Sequence, residues 1–412
     1  MAEEISKEEI LMRCTKVTTK FSNSGRIKDL NIFIEEYRKV LIAFVDLLWN
    51  EEKIPCLLPK IFTDKVADSS WLSARMIQCV GKQASGIVRG TKKKNEQRKF
   101  VIDQLNKEGK FKKARKLQKV YDEHISEKPE IDNVECELDS RFVKTDLANA
   151  TIFDGWLTLT SIGNKMKIEI PFKKSKHFLE MEARGRLTSG ARLSKSNITF
   201  MFEIPKPKLV NTGKVLGIDI GQNNAISCSN GFASKVNKHG HDLNSINGIM
   251  CKKKKGSLAF KRCQEHRRNY INWTINQLNL DGIKVVNRED IKDLRRGKRY
   301  SRKLSHWTYT DIFDKLDRFC CEQGVLVNKI NPTYTSQRCS MCGWTQKANR
   351  KGKQFKCDKC FHEQDADLNA SKNLALNLTS IKKLERLQHK SRIGFYWNVV
   401  GKEPIVPSVQ KS

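Results

Sequence analysis

Cys339-Ser340-Met341-Cys342 is followed, after fourteen residues, by Cys357-Asp358-Lys359-Cys360, and Asp365-Ala366-Asp367-Leu368-Asn369-Ala370 comes close behind. Two C-x-x-C knuckles at this separation can bring four thiolates to the corners of a tetrahedron, about 2.3 Å from a Zn²⁺ ion. The spacing predicts a structural zinc ribbon over residues 332–362, with Cys339, Cys342, Cys357 and Cys360 as its ligands. A carboxylate just after such a ribbon, in a very basic chain, points to metal-dependent chemistry on nucleic acid.

Working outward, the chain alternates strand and helix signals. Val215 to Gly221 reads as an apolar strand holding one acid, Asp219, and Ala225 to Cys228 as a second strand hairpinned to it. A basic helix runs from about Ser257 to Leu280, and Ile283 to Val286 is a strand that ends in Asn287-Arg288-Glu289-Asp290. A helix from Trp307 to Gln323 stops at Gly324, and Val325 to Ile330 is a further strand. After the ribbon a short helix starts at Asp367 and reaches about Leu378. This order describes an α/β fold with a mixed central sheet.

Three acids stand out by position. An Asp inside an apolar strand costs free energy unless it is satisfied, which singles out Asp219. Glu289 sits just beyond a strand, and Asp367 opens a helix, where a carboxylate suits the dipole. In an RNase H-like sheet those three positions converge. Convergent carboxylates repel one another and call for cations, and Mg²⁺ or Mn²⁺ prefers oxygen ligands. Two such ions can activate water and stabilise the leaving oxygen of a phosphodiester. Each acid alone also has an ordinary reading as a loop or capping residue. Asp365 is the nearest rival to Asp367 and is otherwise a helix cap.

The N-terminal half reads differently. Residues 10–20 alternate weakly as a strand, and Ser24-Gly25 opens a long amphipathic helix through Trp49. A second helix covers Ser70 to Arg89. From Thr91 to Val120 the chain is crowded with Lys92, Lys93, Lys94, Lys112, Lys113, Arg115 and other bases. With few acids interleaved, helical ion pairing does not account for the run, and a phosphate-facing stripe competes with a solvated face. Short strands with a Gly163-Asn164 turn follow over residues 140–204, and Pro205-Lys206-Pro207 ends that β domain.

Composition narrows the function. The 412 residues hold 78 Lys and Arg against 46 Asp and Glu, a formal charge of +32. Such a chain attracts polyanions, and counterion release makes nucleic acid the favoured partner. No apolar stretch approaches the ~20 residues that span a bilayer, and the acidic start carries no signal-peptide pattern, so a soluble, cytoplasmic protein without a membrane partner is expected. Of 13 cysteines, nine lie outside the ribbon without any C-x-x-C pairing, which fits a reducing compartment.

Gly217-Ile218-Asp219-Ile220-Gly221, Asn287-Arg288-Glu289-Asp290-Ile291, Pro332-Thr333-Tyr334-Thr335-Ser336-Gln337-Arg338-Cys339 with Cys342-Gly343, and Asp365-Ala366-Asp367-Leu368-Asn369-Ala370 together resemble the RuvC-type nuclease motifs and zinc ribbon of the TnpB family, which includes the miniature type V CRISPR effectors. The resemblance covers about residues 214–378. It implies an RNA-guided DNA endonuclease, prokaryotic or phage-encoded, that binds guide RNA and target DNA as a monomer or as a homodimer on one guide. It implies Asp219, Glu289 and Asp367 as catalytic residues and Mg²⁺ (or Mn²⁺) ligands, and Zn²⁺ on the four cysteines. Lys252, Lys253, Lys254, Lys255, Arg262, Arg267 and Arg268 resemble the basic loop and helix between the first two nuclease motifs, and should meet phosphates.

The implied fold class is multidomain α+β. Residues 1–24 give the first strand of a small β-barrel-like domain, 25–135 a helical recognition insertion, and 136–204 the rest of that β domain. Residues 205–213 form a linker, 214–331 with 363–380 an RNase H-like (RuvC) α/β nuclease domain, 332–362 its inserted zinc ribbon, and 381–412 a basic C-terminal tail. Two alternatives compete: a guided DNA-binding repressor that does not cut, and a non-catalytic basic zinc-ribbon DNA-binding protein. The first normally lacks one of the acids, and the second leaves Asp219 and Glu289 unexplained.

Overall fold

The computed structural model describes residues 9–124, 127–147, 152–291, 302, 306–378 and 394–399. The chain divides into two compact units, Met1–Pro205 and Lys206–Ser412.

The first unit is built from β1 (Ile10–Thr18), α1 (Ser24–Trp49), α2 (Lys60–Ala67), α3 (Ala74–Lys107), α4 (Phe111–His124), β2 (Cys136–Leu138), β3 (Val143–Asp146), β4 (Gly155–Leu159), β5 (Ile168–Phe172), α5 (Lys176–Arg184), β6 (Arg186–Leu193) and β7 (Asn197–Pro205). Asn23 and Ser73 start α1 and α3 by accepting from the backbone N–H groups of Arg26 and Met76 at 2.9 and 3.2 Å. The stripe Leu30, Phe33, Ile34, Tyr37, Leu41, Phe44 and Leu48 then buries one face of α1. α3 runs eighteen residues beyond the expected end at Arg89, because the lysine-rich segment continues the helix until Gly109 turns the chain at φ 70°.

The strands of this unit form two sheets, ordered β1-β7-β6-β2 and β3-β4-β5, and among the described residues neither closes into the expected barrel. The reason lies at the edge of β2. Gln83 on α3 donates to the Glu135 carbonyl at 2.9 Å, Tyr37 and Cys79 donate to the Glu137 carbonyl at 3.1 and 3.3 Å, and the edge is thus covered by helix side chains instead of a strand. Both sheets share one core, in which Phe172, Phe178, Phe200 and Phe202 meet at ring separations of 5.0 to 6.0 Å.

The second unit holds β8 (Lys214–Asp219), β9 (Ser227–Cys228), α6 (Leu243–Cys251), α7 (Leu258–Ile275), β10 (Ile283–Glu289), α8 (Tyr309–Glu322), β11 (Leu326–Ile330), β12 (Trp344–Thr345), β13 (Arg350–Lys351), β14 (Gln354–Lys356), β15 (Glu363–Asp365), α9 (Ala366–Leu374) and β16 (Phe395–Tyr396). Its main sheet is ordered β11-β10-β8-β9, with β10 parallel to both β8 and β11 and β9 antiparallel to β8. Parallel strands need helical crossovers and tend to be buried on both faces, which matches the apolar runs read from sequence. Residues expected as a linker dock on this unit, since Val210 N–H donates to the Gly324 carbonyl at 2.8 Å. Most of the expected basic tail lies outside the described residues. The segment 394–399 is no loose tail, because β16 pairs with β12 and Trp344 meets Tyr396 at 5.0 Å. Among the described residues no helix is long and apolar enough to cross a membrane.

α9 lies directly on β8, and Gly217 permits it. A Cβ at this position would stand 1.9 Å from the Ser371 carbonyl oxygen and 2.5 Å from the Ala375 nitrogen, both backbone atoms. Gly217→Ala should therefore cost at least the ~1–3 kcal/mol of ordinary overpacking. Gly248→Ala, in α6 with nothing within 4 Å of the added carbon, should be neutral or gain about 0.5–1 kcal/mol. Chemical denaturation of the two variants checks the contrast; equal stability would contradict the close approach.

Candidate functional site

Two of the three acids end neighbouring parallel strands. Asp219 closes β8 and Glu289 closes β10, whose register sets Arg288 opposite Ile218. Glu289 is thus the last strand residue, not one beyond it. Asp367 enters from the first turn of α9. The three line one cleft of about 750 Å³ together with Gln222, Asn224, Trp307 and Arg350. Asp219 and Glu289 are each 8% exposed.

Burial sets the electrostatics. Desolvation first, then the charges of Glu289 and Asp367, push the Asp219 carboxyl well above the usual carboxylate range. Desolvation also raises Glu289, to about 7, against the opposing hydrogen bond from Asp219 and the nearby Arg350 cation. Two acids that resist ionisation next to a third form a site that a hard cation would relieve, and their oxygen donors suit Mg²⁺ or Mn²⁺. In donor type, three carboxylates lining one cleft, the set suits such ions.

Two partners of Asp367 carried no signal in the sequence. Arg350 Nη2 donates to Asp367 Oδ1 at 3.0 Å, and Asn224 Nδ2 donates to Asp367 Oδ2 at 3.4 Å. Arg350 is one base among many, and only the β13-β14-β15 sheet carries it from the ribbon to the acid. Asp365 has a different task. Its Oδ1 accepts from the backbone N–H groups of Asp367 and Leu368 at 2.9 and 3.0 Å, so it caps α9.

The four cysteines come together in the ribbon. Their sulfurs all lie within 4.8 Å of one another, the only such set of metal-type ligands among the described residues. Cys339 and Cys360 are 3.7 Å apart, and Cys342 and Cys357 3.6 Å. A tetrahedron with ~2.3 Å bonds has edges of about 3.8 Å, so the group could hold zinc. A buried polar network ties the ribbon to α9. Arg338 donates to Asn373 Oδ1 at 2.7 Å, to the Cys339 carbonyl at 3.1 Å and to the Trp397 carbonyl at 2.7 Å. Asn369 donates to the Arg338 carbonyl at 2.7 Å and accepts from the Ser340 N–H at 2.9 Å.

The basic candidates are spread more widely. Lys93 and Lys94 on α3, Lys112, Lys113 and Arg115 on α4, Lys252 to Lys255 after α6, and Arg262 and Arg268 on α7 are exposed. Lys92 is half-buried, with its ammonium 5.6 Å from the Trp49 ring centroid. Arg267 departs from the expectation. It is 5% exposed, and its guanidinium donates to the His306 carbonyl, so it braces the fold rather than facing phosphate.

Residues 309–374 match the family model described as Cas12f1-like, TNB domain. The CRISPR-associated endodeoxyribonuclease Cas12f1 of Sulfoacidibacillus thermotolerans is 38% identical over 118 residues, 28% of this chain and 27% of that protein. A TnpB-like protein of Aquifex aeolicus (strain VF5) is 32% identical over 96 residues, 22% of this chain and 31% of its own length. The chain thus matches roughly a third or less of each curated relative. Among solved structures, the mini-RNA-guided endonuclease CRISPR-Cas_phi3 shares the fold at a TM-score of 0.51, with 13% identity over 90% of this chain and 93% of that one. The resemblance to TnpB proteins and miniature type V effectors is borne out by these matches.

Two predictions follow from the site. One zinc per chain should be found by elemental analysis, and Cys357→Ala should lose it together with thermal stability; well-folded protein without zinc would exclude the ribbon site. The second concerns protein freed of Mg²⁺ but retaining zinc. Glu289 ionises near 4.5 in the ordinary state and near 7 when folded. Its contribution to stability is therefore full below pH 4.5 and is lost as pH rises through 7. Glu289→Gln should gain stability over the parent as pH rises from 5 to 8 in about that window, and added Mg²⁺ should narrow the gap. A pH-independent difference in melting temperature would contradict the assigned environment.

Proposed function

We propose that this chain is an RNA-guided DNA endonuclease, in which a guide RNA supplies sequence specificity by base pairing and the chain hydrolyses phosphodiester bonds of the target. The observation that carries the reading is the convergence of Asp219, Glu289 and Asp367, with Arg350, in one cleft at the end of the parallel strands. A repressor or a ribbon that only binds DNA has no use for two desolvated acids facing a third. The names of the relatives, CRISPR-associated endodeoxyribonucleases, agree with it.

Asp219, Glu289 and Asp367 would hold divalent cations, Mg²⁺ or Mn²⁺, which supply charge for activating water and for stabilising the leaving oxygen, as in two-metal phosphodiester hydrolysis. Asn224 orients the Asp367 carboxylate by its hydrogen bond. Among the described residues Arg350 is the one guanidinium lining the cleft, and it can pass from Asp367 to a non-bridging phosphate oxygen. Cys339, Cys342, Cys357 and Cys360 would hold zinc in a structural role. Lys93, Lys94, Lys112, Lys113, Arg115, Lys252 to Lys255, Arg262 and Arg268 would meet phosphates of the guide and target without reading bases.

Cleavage of a matched target by the protein–guide complex in Mg²⁺ tests this. Loss of a group that merely supports a metal ligand costs about 10–100-fold, so Asp219→Ala or Asp367→Ala should slow cutting by more than about 100-fold while guided binding persists. Asp365→Ala should retain cutting and lose about 1 kcal/mol of stability, the usual value of a cap. Full cleavage by the Asp219→Ala protein would end the nuclease reading, and equal losses at 365 and 367 would end the choice between those two acids.

A further inference from the structure

Arg288 precedes Glu289 on β10, and strand alternation sends their side chains to opposite faces. Glu289 lines the acidic cleft, whereas Arg288 is 4% exposed beneath α8. Its Nε and Nη2 donate to the two oxygens of Asp317 at 2.8 and 2.7 Å, a bidentate fork. The guanidinium carbon lies 3.9 Å from the ring centroid of Phe313, one turn earlier on the same helix. With the fork engaged and the plane fixed on the ring, Nη1 reaches the backbone carbonyl of Glu289 at 3.1 Å.

Arg288 is buried while the Asp317 side chain stays 36% exposed, and an ion pair that desolvates one partner seldom adds net stability, because desolvation offsets the attraction. A well-packed hydrocarbon would serve the core of α8 and β10 as well. It could not grip the carbonyl of Glu289. On the other face Asn287 Nδ2 donates to the Leu374 carbonyl at 2.8 Å and ties β10 to α9, the helix that carries Asp367. The strand end that presents Glu289 is therefore pinned from both sides of the sheet. We propose that Arg288 is a positioning residue: it registers the end of β10 against α8 and so holds the Glu289 carboxylate at its distance from Asp219. The inference rests on the reading of those acids as cation ligands.

The test uses the full chain carrying its zinc and free of nucleic acid, with Mn²⁺ as the probe. Binding is read from the loss of the free-ion paramagnetic resonance signal, and melting temperature is recorded on the same samples. Arg288→Lys keeps the charge but cannot form the fork and reach the carbonyl together. Asp317→Asn keeps the shape and weakens the fork. Arg288→Met keeps the packing. All three should bind Mn²⁺ about 10–100-fold more weakly than the parent, the usual cost of losing a group that orients a metal ligand, with melting temperatures that do not track the loss. Parental affinity in Arg288→Lys and Asp317→Asn overturns the proposal, as does a weakening that merely follows stability across the set. Should Arg288→Met fail to fold, the other two decide. If the parent binds no Mn²⁺, or Asp219→Ala binds it equally well, the reading of the acids as a metal site falls, and the positioning role falls with it. If that site stands and only the Arg288 and Asp317 variants behave as parent, the positioning role alone is lost.

Discussion

Mutual repulsion of carboxylates in a desolvated cleft is the constraint around which the second unit is arranged. Asp219 and Glu289 lie at the ends of adjacent parallel strands, nearly out of water, and Asp367 faces them from a helix. An apolar core would exclude such a group; here burial first, and the neighbouring acids second, raise the Asp219 carboxyl above the usual carboxylate range, and burial raises Glu289 as well. The arrangement is unfavourable for folding taken alone. It persists because the sheet, α9 and the ribbon fix it from several directions.

The ribbon is part of that fixing. Two C-x-x-C knuckles could fold around zinc on their own, yet this one is joined to α9 by Arg338, Asn369 and Asn373, every one buried. Arg338 also takes the Trp397 carbonyl, which draws the returning segment 394–399 over the ribbon. Through β13 the same module delivers Arg350 to Asp367. Loss of the knuckles would therefore remove both the support of the helix and the cation that balances its acid.

Much of this was legible in the sequence, and the reasons differ by element. The strand and helix order of the second unit follows from apolar runs and from stops such as Gly324, which depend on local chemistry. The knuckles are read from spacing alone. Asp365 and Asp367 are told apart by position, because an N-cap and a first-turn acid have different backbone partners. Arg350, Asn224 and the burial of Arg267 were not legible. Each is an ordinary polar residue whose role is set by where a distant segment lands, and 78 basic residues hide a few special ones. The barrel expected in the first unit does not form among the described residues for a similar reason: Gln83 and Tyr37, both helical, take the edge of β2, a tertiary event that no strand pattern records.

The two faces of β10 show how one short strand can serve stability and chemistry together. Asn287 and Glu289 point toward α9, and Arg288 points toward α8. A one-residue slip would exchange these faces, placing the arginine among the acids and the glutamate against Phe313. The bidentate pair with Asp317 and the bond to the Leu374 carbonyl both oppose that slip, since each is satisfied only in the observed register. Polar groups buried on both sides of a strand add little to folding free energy, but they allow only one placement of the carboxylate between them.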